Sequence, residues 1–347
     1  MTSTTASTKR ASVNVGKLLT RISMILIAAV VIYWLGINFV NSPTQFLSVG
    51  ITGASNGALY ALIALGYTLV YGIIELINFA HGDLFMLGAV FSFFFLTAFL
   101  GAEGASPRNY AMLVLTLLLA MIFCASLNVF IERVAYRRLR EAPKLAPLIT
   151  AVGVSFILQF TGLKWNGSAP RNFTTVLPKT SFTVGGVVVP WNSLAIIGLT
   201  IPLLLILVTI VNKTKQGRAM RATAQDKDAA RLMGIDVNKT ISLVFALGGA
   251  MAGAAGLMFA QSVGTVAYNI GFQLGLIAFT SAVLGGVGNL YGAVLGGFLI
   301  GIIQGFNDGL PIGPGQKWSQ TMVFTILILL MVYKPAGLLG KATTEKV

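Results

Sequence analysis

GITGASNGALYALIALGYTLVYGIIELINFAHGDLFMLG, residues 50–88, decides the fold. From 52 to 74 it carries no charge, a run long enough to cross the roughly 30 Å hydrocarbon core of a bilayer as a helix. At about 100° per residue, Asn56, Tyr60, Tyr67, Tyr71 and Asn78 share a stripe about 60° wide, with Leu62, Leu65, Leu69 and Leu76 on the far side. A helix facing only lipid needs no such amides and phenols, so the stripe faces other helices or a water-filled path. Hydrogen bonding between helices uses the same residue types, and both readings stand at this point.

Beyond the stripe come Glu75 and then Asn78-Phe79-Ala80-His81-Gly82-Asp83, before apolar residues resume at Leu84. Ionisable groups at a membrane edge cost little, whereas deep in a bilayer they cost several kcal/mol and mark function. Depth therefore decides between a working motif and a short polar turn in which His81 and Asp83 cap the next helix. His81 is the one histidine of the chain, which excludes a multi-histidine metal site.

The rest of the chain has the same character. Of its 347 residues 56% are hydrophobic and 10% charged, and the mean hydropathy is +0.84. A soluble domain of this length has no way to hide so much apolar surface, so its solvent is lipid. The single cysteine, Cys124, lies in an apolar run and reads as a buried, inert thiol; no disulfide framework is available. The net charge of +14 is carried in short segments between apolar runs, the pattern of membrane orientation and not of a nucleic-acid partner.

Residues 1–21 are rich in Ser and Thr with four basic residues, and read as a disordered cytoplasmic tail ahead of a first span at 22–40. That apolar run is too long for a signal peptide, and no clean cleavage site follows it. Further apolar runs lie near 50–74, 84–100, 111–131, 146–164, 191–211, 241–261, 273–289, 291–307 and 318–334. The two between 273 and 307 are separated only by Asn289-Leu290-Tyr291-Gly292 and are compatible with one broken or re-entrant element. The expectation is an all-α polytopic membrane protein of eight to ten transmembrane helices, some broken or re-entrant, with a transmembrane body at 22–340 and a short tail at 341–347.

Lys and Arg divide nineteen against five between alternate connecting segments, which places both termini in the cytoplasm. The outer segment 165–191 contains Pro170, Pro178, Gly185, Gly186 and Pro190 and is too long for a tight turn. It either packs on the outer surface and receives a partner, or is a solvated loop. Gly249 and Gly253, Gly292 and Gly296, Gly297 and Gly301, and Gly301 and Gly305 are each four apart, giving smooth faces for close helix packing.

The largest polar stretch after the tail is the cytoplasmic segment 212–240. Within it, 217–233 is made of good helix formers, and Ala219, Ala222, Ala229, Leu232 and Met233 supply an apolar side. Such an amphipathic helix either lodges in a groove on a soluble partner or rests on anionic lipid headgroups. No Gly-x-x-x-x-Gly-Lys-Ser/Thr loop is present, so ATP is not bound by that route here. With one His, one Cys and ten acidic residues, no catalytic constellation assembles either, and the chain does not read as an enzyme.

Two stretches carry a resemblance. NGALYALIALGYTLVYGIIELINFAHGDLFMLGA and GRAMRATAQDKDAARLMGIDVNKTISLVFALGGAMAGAAGL are similar to the signature and the cytoplasmic loop of the branched-chain amino acid permease family of ATP-binding-cassette importers. LGGVGNLYGAVLGGFLIG extends the resemblance, which runs from about residue 50 to 338. Importers of this class dock on their ATPase through a Glu-Ala-Ala-x-x-x-Gly loop. Here Asp228-Ala229-Ala230-Arg231-Leu232-Met233-Gly234 has Asp for Glu, and the Ile-x-Leu-Pro ending of the general pattern is missing.

The resemblance implies an assembly in a bacterial inner membrane. Two permease subunits, usually non-identical, would pair with two ATPase subunits that bind ATP and magnesium, and with an external solute-binding protein; this chain itself would bind no cofactor. Arg218, Arg221, Asp228, Ala229, Ala230 and Gly234 would couple to the ATPase. Asn56, Tyr60, Tyr67, Tyr71 and Asn78 would line the solute pathway, and Glu75, His81 and Asp83 form a motif without an assigned role. The implied solutes are leucine, isoleucine and valine, with urea or short amides as the alternative. A gradient-driven transporter would instead need ionisable groups at mid-membrane, for which only the 75–83 cluster is available. A membrane receptor or scaffold acting by interaction alone is the third class.

Overall fold

A computed structural model of the protein describes residues 15–75, 78–140, 142–143, 145–178 and 180–340. Helix α1 spans Val15–Asn41, α2 Pro43–Ile74 and α3 Ala80–Ser92, which continues as a wider π-helical stretch over Phe93–Phe99. Helix α4, Pro107–Ile131, runs on through a π turn at Glu132–Tyr136 and a 3-10 turn at Arg137–Leu139. Helix α5 is Leu145–Asn166. After it come the short strands β1 (Arg171–Asn172), β2 (Ser181–Val184) and β3 (Val187–Pro190), and then α6 (Trp191–Lys213). Two short helices, α7 (Lys215–Gln225) and α8 (Lys227–Leu232), lead into α9 (Val237–Val263) and β4 (Thr265–Val266). Helices α10 (Ile270–Gly285), α11 (Leu290–Gly309) and α12 (Ser319–Tyr333) complete the chain.

Among the described residues seven helices are long and apolar enough to cross a membrane, and 25–41 and 270–285 are shorter apolar helices. The protein is an all-α polytopic membrane protein. Helix α1 begins at Val15 and not at residue 22, because Lys17, Leu18, Leu19 and Arg21, assigned above to the tail, are good helix formers that prolong the first helix. Residues 1–14 of that tail, the tail 341–347, Leu76 of the far-side stripe, Lys144 and Lys179 lie outside the described residues. The 273–307 stretch is two helices: Gly286 (φ 108°) and Gly288 (φ 87°) turn the chain between α10 and α11, which pack on each other.

Helix α2 is the axis of the bundle. In its most apolar window 83% of residues are buried, against 28% in α5 and in α6, so α2 lies inside and α5 and α6 face outward. It packs against α9, α10 and α11. In lipid that packing rests on close backbone approach and not on hydrophobic exclusion. The glycines of α11 do this on two faces: a Cβ on Gly296 would meet Ser281 of α10, and one on Gly305 would lie 2.7 Å from the Gly53 Cα of α2. Gly249 and Gly253 serve the same end against α4, where a Cβ on Gly253 would lie 3.1 Å from Cys124 Cβ. Cys124 is fully buried, its thiol 3.5 Å from the Leu84 carbonyl oxygen.

The segment 165–191 packs on the bundle. Strand β1 pairs with β4, and β2 and β3 form a hairpin through Gly185 and Gly186, both at positive φ. Gln261 Oε1 of α9 accepts the Val176 backbone N–H at 3.0 Å, and the Arg171 guanidinium sits 5.5 Å from the centre of the Phe94 ring.

Candidate functional site

Helix α2 stops because Glu75 turns into the left-handed region (φ 58°) while its N–H still bonds the Tyr71 carbonyl oxygen at 2.8 Å. Its side chain is exposed. Four residues on, α3 starts from Phe79, which offers no side-chain cap. His81 and Asp83 therefore do not cap a turn, the reading left open by the sequence; they are 1% and 0% exposed between helices. The His81 ring packs edge-on against Tyr67 with centroids 4.8 Å apart, in the space that a side chain on Gly66 would need. Asp83 Oδ2 accepts from the Ser155 hydroxyl of α5, and Gln159 Nε2 donates to that hydroxyl at 3.3 Å.

A buried carboxylate depends on its donors. Ser155→Ala is accordingly expected to destabilise the protein by about 1–3 kcal/mol, read by thermal unfolding in detergent; an unchanged melt would show that the Ser155 bond contributes nothing.

The stripe on α2 turns inward along much of its length. Tyr60 is 6% exposed and its hydroxyl lies 2.7 Å from Gln304 Oε1 of α11. Tyr67 is buried against His81 and Phe279, and the Tyr136 hydroxyl donates to Asn78 Oδ1 at 2.8 Å. Asn56 and Tyr71 are half-buried. Tyr60 and Tyr67 thus make interhelical contacts and Asn56 and Tyr71 keep free surface, whereas Asn78 is not on the stripe: α2 ends at Ile74 and Asn78 lies in the connection to α3.

Several partners in this network escape sequence reasoning. Gln304, Ser155 and Tyr136 lie 244, 72 and 58 residues from their partners Tyr60, Asp83 and Asn78, and nothing local marks them. Glu132 carried a signal, being an acid at the end of an apolar run: it is fully buried, paired with Arg140, and accepts from Ser242 Oγ at 2.7 Å.

The segment 212–240 holds two helices, α7 and α8, where one over 217–233 was expected. Asp226 breaks it, since its Oδ1 accepts from the backbone N–H groups of Asp228 (2.8 Å) and Ala229 (3.0 Å) and so caps α8. At the other end Gly234 N–H bonds Arg231 O at 3.0 Å and Ile235 N–H bonds Ala230 O at 3.0 Å, with Gly234 at φ 80°. That is a Schellman stop, which wants glycine at this position. Asp228 pairs with Arg231 at 3.0 Å, Ala230 is buried, and Ala229 and Arg218 are exposed. Arg221 donates to the Val211 carbonyl oxygen and ties α7 to α6. The corner thus fixed leaves Leu232 and Met233 standing 89% and 82% exposed. Next to it Asp236 caps α9 and is held below the usual carboxylate range by the backbone N–H and the ammonium of Lys239.

Comparison with known proteins fits this arrangement. Residues 50–332 match the family model described as branched-chain amino acid transport system / permease component. The chain is 36% identical over 309 residues to the high-affinity branched-chain amino acid transport system permease protein BraD of Pseudomonas aeruginosa, covering 87% of this chain and 98% of BraD. It is 34% identical over 319 residues to the corresponding permease protein LivH of Escherichia coli, with the same coverage. The autoinducer 2 import system permease protein LsrC of Yersinia pestis is 28% identical over 166 residues, 46% of this chain and 45% of LsrC. No solved structure matches the chain. A family match over most of the length, on an all-α bundle with an exposed two-helix corner, makes this chain a member of the branched-chain amino acid transport system permease family.

Proposed function

We infer that the chain is the permease subunit of an importer for branched-chain amino acids, working in a bacterial inner membrane. The observation that carries this is similarity to BraD and LivH across 98% of their length. In this reading a second permease completes the pathway, a solute-binding protein delivers the amino acid from outside, and two ATPase subunits holding ATP and magnesium drive the cycle. The chain itself performs no hydrolysis.

The α7–α8 corner is the surface on which an ATPase docks. Leu232 and Met233 are large apolar groups in water, held by a capped helix and a glycine stop, and such groups gain by burial in a partner's groove. Coupling further requires that the ATPase bind one permease state more tightly than the other, since equal affinity shifts nothing. Leu232→Asp with Met233→Asp is expected to leave the melting temperature unchanged, as both side chains are exposed, and to lower recovery of a co-expressed ATPase subunit about tenfold. Full recovery would remove the corner from the interface.

A leucine-like solute is a zwitterion with an apolar tail, for which a mostly apolar path with a few neutral hydrogen-bonding groups suits passage better than a tight charged site. Asn56 and Tyr71, with free surface on the α2 stripe, are the groups proposed to meet it; Tyr60, Tyr67 and Asn78 hold the neighbouring helices. Asn56→Ala with Tyr71→Ala is expected to reduce uptake about fivefold without loss of assembly, the equivalent of about 1 kcal/mol. Unchanged uptake would make the whole stripe structural.

A further inference from the structure

A second cluster lies beside the docking corner and takes no part in the function above. Where the long α4 span ends, Arg137, Arg138 and Arg140 face Lys227, Asp228 and Arg231 of α8 across a pocket of about 580 Å³. Five cations meet one carboxylate there. The carboxylate, Asp228, is already engaged by Arg231 at 3.0 Å. Arg140 is anchored by Glu132 and by Asn238 Oδ1 at 2.7 Å, yet its Nε–H is buried with no acceptor. Among the described residues Arg137, Arg138 and Lys227 have no ion-pair partner. Like charges brought this close repel unless an anion sits among them.

Three features say which anion. The pocket is lined by guanidinium forks, which match phosphate oxygens, and one of these residues, Arg140, has an Nε–H with no acceptor. It opens beside exposed apolar side chains. Val134, three and four residues before Arg137 and Arg138, is 59% exposed, and on the adjoining α5 Leu145 and Ile149 are 68% and 69% exposed. Exposed apolar side chains thus lead to the rim of a basic pocket, the arrangement in which acyl chains lie along the helices and a headgroup turns in.

We propose that the pocket formed by Arg137, Arg138, Arg140, Lys227 and Arg231 binds the phosphate of an anionic phospholipid headgroup, joining the end of the α4 span to helix α8. A lipid held there ties the docking corner to the membrane surface, so that lipid composition sets how firmly α8 is positioned.

The test is native mass spectrometry of the purified full-length protein with short-chain phosphatidylglycerol, short-chain phosphatidylcholine or inorganic phosphate. Wild type is expected to retain phosphatidylglycerol in preference to both others. Arg137→Gln with Arg138→Gln, both exposed, is expected to lose that retention about tenfold. Lys213→Gln with Lys215→Gln, an equal change of charge outside the pocket, is expected to keep it. Equal loss in both double variants would overturn the proposal, and so would binding of inorganic phosphate as strong as that of the lipid, which would assign the pocket to a free anion. Unchanged lipid retention in the Arg137/Arg138 variant together with lost recovery of an ATPase subunit would assign the cluster to a protein partner and equally overturn it.

Discussion

Gly301→Val is expected to destabilise the protein by at least about 3 kcal/mol, beyond the usual range for an oversized core residue. Overpacked side chains normally relieve a clash by changing rotamer, and here no side chain is available to move. A Cβ on Gly301 would fall on the backbone Cα and N of Gly57 and 2.6 Å from the Gly53 carbonyl oxygen, so α11 itself must move away from α2. The same seam is closed from the other side, since a Cβ on Gly57 would lie 2.7 Å from Phe298 Cα. A melting temperature lowered by roughly 5–10 °C, or loss of a monodisperse peak on size exclusion, is the expected readout. Gly153→Val and Gly198→Val provide the comparison, for a Cβ at either position meets nothing within 4 Å. Equal melts for all three variants would show that the α2–α11 seam does not depend on small residues.

Gly234→Pro is expected to abolish transport while leaving the amount of protein in the membrane unchanged. Proline fixes φ near −65°, whereas Gly234 sits at φ 80°, and proline has no N–H to give the Arg231 carbonyl oxygen. The stop of α8 is then lost, and with it the direction in which Leu232 and Met233 project. Gly234 is exposed and a Cβ there would meet nothing within 4 Å, so the bundle has no reason to respond. Gly234→Ala keeps the N–H and costs about 1–2 kcal/mol for a left-handed alanine, so it should retain partial transport. Normal uptake by the proline variant would separate this corner from coupling.

The parts of the fold legible in the sequence are those set by neighbours a few residues apart. The uncharged run of α2, Tyr60 and Tyr67 of its stripe, and the four-residue spacing of the α11 glycines each follow from helical periodicity, and each occupies a helix–helix contact in the structure. The burial of His81 and Asp83 between helices was not legible, because it depends on packing partners such as Ser155 of α5, which reaches Asp83 from 72 residues away. The division between α7 and α8 lay within reach: Asp226 followed by Asp228 in the next turn is a start signal, obscured by alanines and glutamine that favour an unbroken helix. That Glu132 pairs with Arg140 in a buried site is a property of the packed helices and not of the local sequence.

Uptake of labelled leucine into proteoliposomes bearing this chain with a second permease, ATPase subunits and a solute-binding protein tests the central claim most directly. The expected result is uptake that needs both ATP and the binding protein, and that disappears in Gly234→Pro. ATP-dependent uptake of urea in place of leucine would keep the mechanism and contradict the solute. Leucine uptake driven by an ion gradient, with this chain alone in the membrane, would contradict the permease-subunit account itself.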